Sequence, residues 1–113
     1  MEADSWDSRT RLLIGDAAAD RLAASTVVVA GLGGVGGYVA EMLARSGVGR
    51  LVLIDADVVS PSNINRQLIA DVNTIGQPKT ELWRQRLTVI NPTIRIDARQ
   101  EFITPENVPE PLA

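Results

Sequence analysis

The residues able to handle charge in this sequence are unevenly chosen. There is no cysteine and no histidine, so thiolate chemistry, cysteine-linked zinc and the commonest general base are absent from it. Chemistry is left to carboxylates, amides, arginines and a single lysine, Lys79. Three stretches gather these groups. Gly31-Leu32-Gly33-Gly34-Val35-Gly36 matches G-x-G-x-x-G, Asp55-Ala56-Asp57 closes an apolar run, and Ser60-Pro61-Ser62-Asn63-Ile64-Asn65-Arg66-Gln67 precedes Gly76-Gln77-Pro78-Lys79.

Each stretch has a physical use. Glycines let a backbone turn tightly and approach a phosphate, and the helix they open offers free N–H groups with partial positive charge. Asp55 stands nineteen positions after Gly36, the spacing of a carboxylate that holds a ribose hydroxyl. At this point a nicotinamide enzyme and an ATP enzyme are equally compatible. Asn63, Arg66 and Lys79 favour ATP. Cleavage between the α- and β-phosphates builds negative charge on departing pyrophosphate, which an arginine fork and a compact ammonium stabilise. A nicotinamide enzyme has no need of that grouping.

These residues need elements to hold them. Thr26–Ala30 is a β-branched apolar run, read as a strand buried on both faces. A helix is expected from Val35 to Ser46, with Val35, Val39, Met42 and Leu43 on one face and Gly47 as its stop. Leu51–Ile54 reads as a second buried strand. Residues 56–76 form a long polar connection of the kind that is often functional. Pro78 opens a further helix that runs to Ile90, where Asn91-Pro92 ends it. Thr93–Gln100 alternates as a third strand, with Ile94, Ile96 and Ala98 on one face. Thr104-Pro105-Glu106 reads as the capped start of another helix. Upstream, Asp16–Ala24 reads as a short helix and residues 1–8 as a flexible tail, leaving 9–113 as one nucleotide-binding domain. The expected fold is α/β, Rossmann-like and three-layered. Its parallel sheet comes from one βαβαβ half of a larger doubly wound domain, with the outer edge of the first strand left open.

The bulk properties set limits. The 113 residues suit one small domain, and 45% apolar with 22% charged residues is ordinary for a soluble globular chain. A net charge of −3 argues against holding nucleic acid by bulk charge, while leaving room for RNA in a local basic pocket. No signal peptide and no apolar run of membrane-spanning length are visible, so the expectation is a cytoplasmic protein without membrane contact.

The runs GLGGVGG, LVLIDAD, SNINRQ and GQPK together closely resemble the ubiquitin-activating-enzyme-like superfamily of the ThiF/MoeB/HesA type, over about Arg9 to Thr104. The resemblance implies ATP-dependent adenylylation of a carboxylate. Gly31, Gly33, Gly34 and Gly36 would hold the phosphates and Asp55 the ribose, with Asp57 close by. Asn63, Arg66 and Lys79 would contact the phosphates. Arg11, in Arg11-Leu12-Leu13-Ile14-Gly15, matches an arginine that in this family reaches the ATP of the opposite subunit, which implies a homodimer. The lead-in and Phe102–Asn107 most resemble the tRNA threonylcarbamoyladenosine dehydratase branch, whose members activate a carboxylate of the modified adenosine and close it to a cyclic form. Activation of a ubiquitin-like sulfur-carrier protein is the alternative substrate. An NAD(P)-dependent oxidoreductase and an inactive nucleotide-binding fragment are the alternative functions. The resemblance also implies Mg²⁺, with its aspartate ligand expected beyond residue 113 and no metal ligand within the chain.

Overall fold

The computed structural model describes residues 4–112. Its elements run α1 (Ser8–Ile14), α2 (Asp16–Ala23), β1 (Thr26–Ala30), α3 (Gly34–Ser46), β2 (Arg50–Ile54), α4 (Lys79–Ile90) and β3 (Arg95–Arg99), with 3-10 turns at Pro61–Asn63 and Glu110–Leu112. The three strands form one parallel sheet in the order β1-β2-β3. This is the Rossmann-like α/β arrangement expected, with each crossover made by one helix.

β2 is the central strand, and Leu51, Val52, Leu53 and Ile54 are all buried. An unbroken apolar run is stable there because both faces are covered. Trp83 and Leu87 of α4, Ala40 and Ala44 of α3, and Val48, Leu32 and Val59 complete the core. α3 and α4 approach closely because of Gly37, where a Cβ would lie 2.5 Å from the Trp83 ring. Two buried polar groups tie α3 to α4 and the turn that follows it. Asn91 Nδ2 donates to the carbonyls of Ala44 and Val48 at 3.1 and 3.3 Å. The Glu41 carboxylate of α3 accepts from Arg86 of α4 and from Arg45. The Arg86 guanidinium, first, holds the Glu41 carboxyl below the usual carboxylate range.

Three features differ from the sequence expectation. Residues 8–14 form a helix, α1, joined to α2 at Gly15, whose φ of 85° suits glycine. Leu12 and Leu13 of α1 are exposed, so this helix buries no apolar stripe and has no periodic signal toward the core. On α3 the core face is made by Gly37, Ala40 and Ala44. Val35, Val39 and Met42 line an open apolar groove of about 490 Å³ with Tyr38 and Leu43. Finally, no helix starts at Thr104. The Thr104 N–H donates to Asn107 Oδ1 at 2.6 Å, and Asn107 N–H donates to the Thr104 carbonyl, closing a turn. Asn107, an amide suited to local turns, supplies the side chain expected of Thr104. The chain then returns so that Glu110–Leu112 lies beside β1, while the outer edge of β1 has no strand partner among the described residues. Part of the expected tail, residues 1–3, lies outside the described residues; Asp4, Ser5 and Trp6 are exposed.

Candidate functional site

The C-terminal ends of β1, β2 and β3 are laced together. The Gly31 N–H donates to the Ile54 carbonyl at 2.8 Å, and the Asp55 N–H to the Arg99 carbonyl at 3.2 Å. Gly31 has φ 90°, the left-handed conformation a tight turn out of a strand requires. Leu32 is wholly buried and pins the loop to the core. Gly36 packs on the start of the loop, since a Cβ there would fall 1.8 Å from the Gly31 carbonyl oxygen. Above Gly34 a Cβ would meet nothing within 4 Å, and above Gly33 only Gln67 Nε2 at 4.0 Å. The motif therefore divides its work: Gly31 and Gly36 shape the loop, while Gly33 and Gly34 leave space over it.

That space faces the N-terminus of α3. Its N-cap, Gly33, supplies no side-chain cap, and the first turn contains no acidic residue. The opening N–H groups of a thirteen-residue helix are left to an outside acceptor, with the helix dipole favouring an anion.

Asp55 organises the frame. Its Oδ2 accepts from the Leu32 N–H at 2.6 Å and its Oδ1 from the Asp57 N–H at 2.7 Å. One carboxylate thus fixes both the glycine loop and the start of the next connection. Asp57 is exposed, and its carbonyl accepts the Lys79 N–H at 3.2 Å. Val58 bridges Pro78, while Val59 and Gln77 pair at 2.9 Å and Gly76 and Val59 at 2.8 Å. The long connection is pinched shut at its base, so residues 57 and 79, far apart in sequence, stand side by side.

Lys79 is 5% exposed. Among the described residues it has neither a salt bridge nor a side-chain hydrogen bond, whereas Arg11, Arg45, Arg50, Arg84, Arg86 and Arg99 all pair with carboxylates. An unpaired cation at the end of a largely buried side chain is suited to an incoming anion.

Asn63 is 7% exposed. Its Oδ1 accepts the Ser60 N–H at 2.9 Å in a reciprocal capping box on the Pro61–Asn63 turn. Arg66 is exposed and donates to the Ser62 carbonyl at 2.8 Å and to Asn65 Oδ1 at 3.0 Å. Both belong to the turn that ends at Gln67, whose N–H donates to the Asn63 carbonyl at 3.0 Å and whose side chain lies against Gly33. The strand ends therefore bring Gly31, Gly33, Asp55, Asp57 and the backbone of Lys79 into one frame, and the turn bearing Asn63 and Arg66 places the Gln67 side chain near Gly33. Arg11 stands apart in the α1–α2 hairpin. It pairs there with Asp7, Asp20 and Asp16 at 3.0, 3.1 and 3.2 Å, contacts that keep its guanidinium charged.

A cleft of about 240 Å³ opens at the strand ends, with Gly31, Asp55 and Asp57 on one side and Glu101, Phe102 and Ile103 on the other. Sequence reasoning missed the role of this second wall, because a short irregular segment after a strand has no period. It also missed Gln67 as a site residue. The signal for Gln67 is three-dimensional: a buried amide facing a bare glycine. Among the described residues no group of three or more Asp or Glu side chains is gathered as a metal site.

The model of the ThiF family matches residues 8–113. The chain is 50% identical over 99 residues to the tRNA threonylcarbamoyladenosine dehydratase of Bacillus subtilis (strain 168), covering 88% of this chain and 39% of that protein. It is 41% identical over 106 residues to the sulfur carrier protein ThiS adenylyltransferase of Escherichia coli (strain K12), covering 91% of this chain and 42% of that one. The crystal structure of the E. coli tRNA N6-threonylcarbamoyladenosine dehydratase TcdA in complex with ATP aligns with a TM-score of 0.85 at 39% identity, over 95% of this chain and 45% of that chain. The chain thus spans about two-fifths of the length of the curated relatives it matches.

Proposed function

The chain belongs to the ThiF family, and from that premise we propose that it forms the nucleotide-binding part of an enzyme that adenylylates a carboxylate with ATP. The observation that carries this reading is Lys79, largely buried and unpaired with its backbone beside Asp57, taken together with the uncapped start of α3. In this proposal the triphosphate occupies the open space over Gly33 and Gly34, where backbone N–H groups and the α3 dipole meet its oxygens. Asp55 holds the ribose by a carboxylate already immobilised by two backbone N–H groups. The nucleobase enters the cleft walled by Phe102 and Ile103.

The reaction is R–COO⁻ + ATP → R–CO–AMP + pyrophosphate. A carboxylate oxygen attacks the α-phosphorus as the bond to the bridging oxygen of the β-phosphate breaks, and the electron pair leaves with pyrophosphate. Lys79 and Arg66 neutralise the charge that grows on the leaving group, and Asn63 keeps the turn that bears Arg66 in place. The work is positioning and charge stabilisation, with no covalent enzyme intermediate. Mg²⁺ would supply counter-charge to the triphosphate, its protein ligands being expected beyond residue 113.

The substrate we favour is threonylcarbamoyladenosine in tRNA, supported by 50% identity to the B. subtilis dehydratase against 41% to the sulfur-carrier enzyme. A sulfur-carrier C-terminus remains the second reading on the strength of that 41%. The nicotinamide alternative rests on Asp55 and the glycines alone, and the ATP-bound relative gives it no support. A homodimer is also proposed. α1 exposes Leu12 and Leu13, and α3 exposes Val35 and Met42, so two apolar surfaces are available to a second copy. In such a pair Arg11 would exchange its aspartate partners for phosphate oxygens of the other subunit.

Calorimetry with ATP–Mg²⁺ and with NAD⁺ tests the reading. The chain should bind ATP, and Lys79→Ala should weaken that binding by about 10- to 100-fold. Preference for NAD⁺, or ATP binding indifferent to Lys79, would contradict it.

A further inference from the structure

Gln67 has no place in the roles assigned so far, yet it is the most conspicuous polar side chain of the site. It is 7% exposed, and its Oε1 is buried without a hydrogen-bond partner. Among the described residues its Nε2 makes no hydrogen bond either, and it lies 4.0 Å from where a Cβ on Gly33 would sit. A glutamine side chain offers two donors and two acceptor sites. Burying its Oε1 without a partner disfavours folding, and an apolar side chain of the same length would suit a purely structural role better. The backbone of Gln67 is fully engaged: its N–H donates to Asn63 at 3.0 Å and its carbonyl accepts from Ala70 at 3.1 Å. The turn therefore holds the side chain in place regardless of what the amide contacts.

The direction is equally specific. Gly33 caps α3 with an extended backbone, φ −72° and ψ −155°, and has no side-chain cap of its own. The uncapped helix start and the unpartnered buried amide face the same open space. Lys79 supplies charge to this region, whereas Gln67 supplies a neutral donor of fixed direction. A fully ionised phosphate oxygen accepts such a donor with no proton to exchange and no added charge to desolvate.

We propose that Gln67 is a phosphate-binding residue of this site, its side-chain amide donating to an anionic oxygen held over Gly33. The proposal rests on the ATP reading above and deepens it, adding a neutral donor to the cationic set. It gives Nε2 a partner that arrives with the nucleotide, whereas Oε1 is itself an acceptor and gains none from a phosphate oxygen.

The test compares Gln67→Met and Gln67→Glu with the unsubstituted chain, using ATP–Mg²⁺ and adenosine as calorimetric probes and thermal unfolding as the control. Gln67→Met keeps length and volume. It should unfold at the same temperature or higher, bind ATP about tenfold more weakly, and bind adenosine unchanged. Gln67→Glu places an anion against the phosphates and should weaken ATP binding further, with adenosine again unchanged. Equal losses for ATP and adenosine, or a lowered unfolding temperature in Gln67→Met, would assign Gln67 to the scaffold and overturn the proposal. Undiminished ATP binding by both variants would overturn it while leaving the ATP reading intact. Absence of ATP binding by the unsubstituted chain would overturn both.

Discussion

Asn91 and Gln67 are both buried carboxamides in polar turns, and they stand at opposite ends of the sheet with opposite fates. Asn91 is 1% exposed; its amide donates to Ala44 and Val48, and its oxygen accepts from Thr93. Glu41, nearby on α3, is likewise met by two arginines. At the other end Gln67 has no side-chain partner and Lys79 has no counter-ion among the described residues. Buried polar groups in a folded chain are normally satisfied, and these two carboxamides differ on that point; Trp83 Nε1, packed against Gly37, is a further buried donor without a partner. Where the polar groups close on one another, they hold α3 to α4. Where they stay open, around the start of α3, they form a surface suited to an anion.

The contrast is sharpest when one end is broken without touching the other. Asn91→Leu removes two donors and leaves the Ala44 and Val48 carbonyls buried without partners. It should cost about 3 kcal/mol, or roughly 15 °C in Tm, checked by calorimetric unfolding. Gln67→Met, at the open end, should cost nothing in the same measurement. A milder test uses pH. Glu41 is held below its ordinary value of 4.5, chiefly by Arg86. Its carboxylate therefore stabilises the fold above the unfolded-state value, and this contribution disappears as pH falls through the lower native one. Glu41→Gln should destabilise the chain by about 1–2 kcal/mol near pH 7, and the gap should close progressively as pH falls below the ordinary value of 4.5. Denaturant unfolding at several pH values checks this, and a gap that widens in acid would contradict the assignment.

Much of this was legible in the residues themselves. β1 and β2 announce themselves as β-branched and apolar runs between turn signals, and the glycine motif sits where a strand becomes a helix. Gly47 and Asn91 end their helices as expected. The limits were physical. The inner face of α3 is built from Gly37, Ala40 and Ala44, residues too small to stand out in an apolar pattern, while the larger Val35, Val39 and Met42 face outward. α1 presents Leu12 and Leu13 to solvent, so no periodicity marks it. Asn107 closes the turn expected to begin a helix at Thr104. Glycine spacing alone does not distinguish the glycines that shape the loop from those that leave room over it. That distinction depends on what a Cβ would strike: the Gly31 carbonyl at Gly36 and empty space at Gly34. Gln67 and the Glu101–Ile103 wall emerge only once distant segments meet.

The most direct test observes both amides in one experiment. In a ¹⁵N–¹H NMR titration with ATP–Mg²⁺, the backbone resonances of Gly33, Gly34 and Val35 and the side-chain NH₂ of Gln67 should shift together and saturate together, while the side-chain NH₂ of Asn91 stays still. A titration that moves Asn91 and leaves Gln67 unchanged would contradict the account.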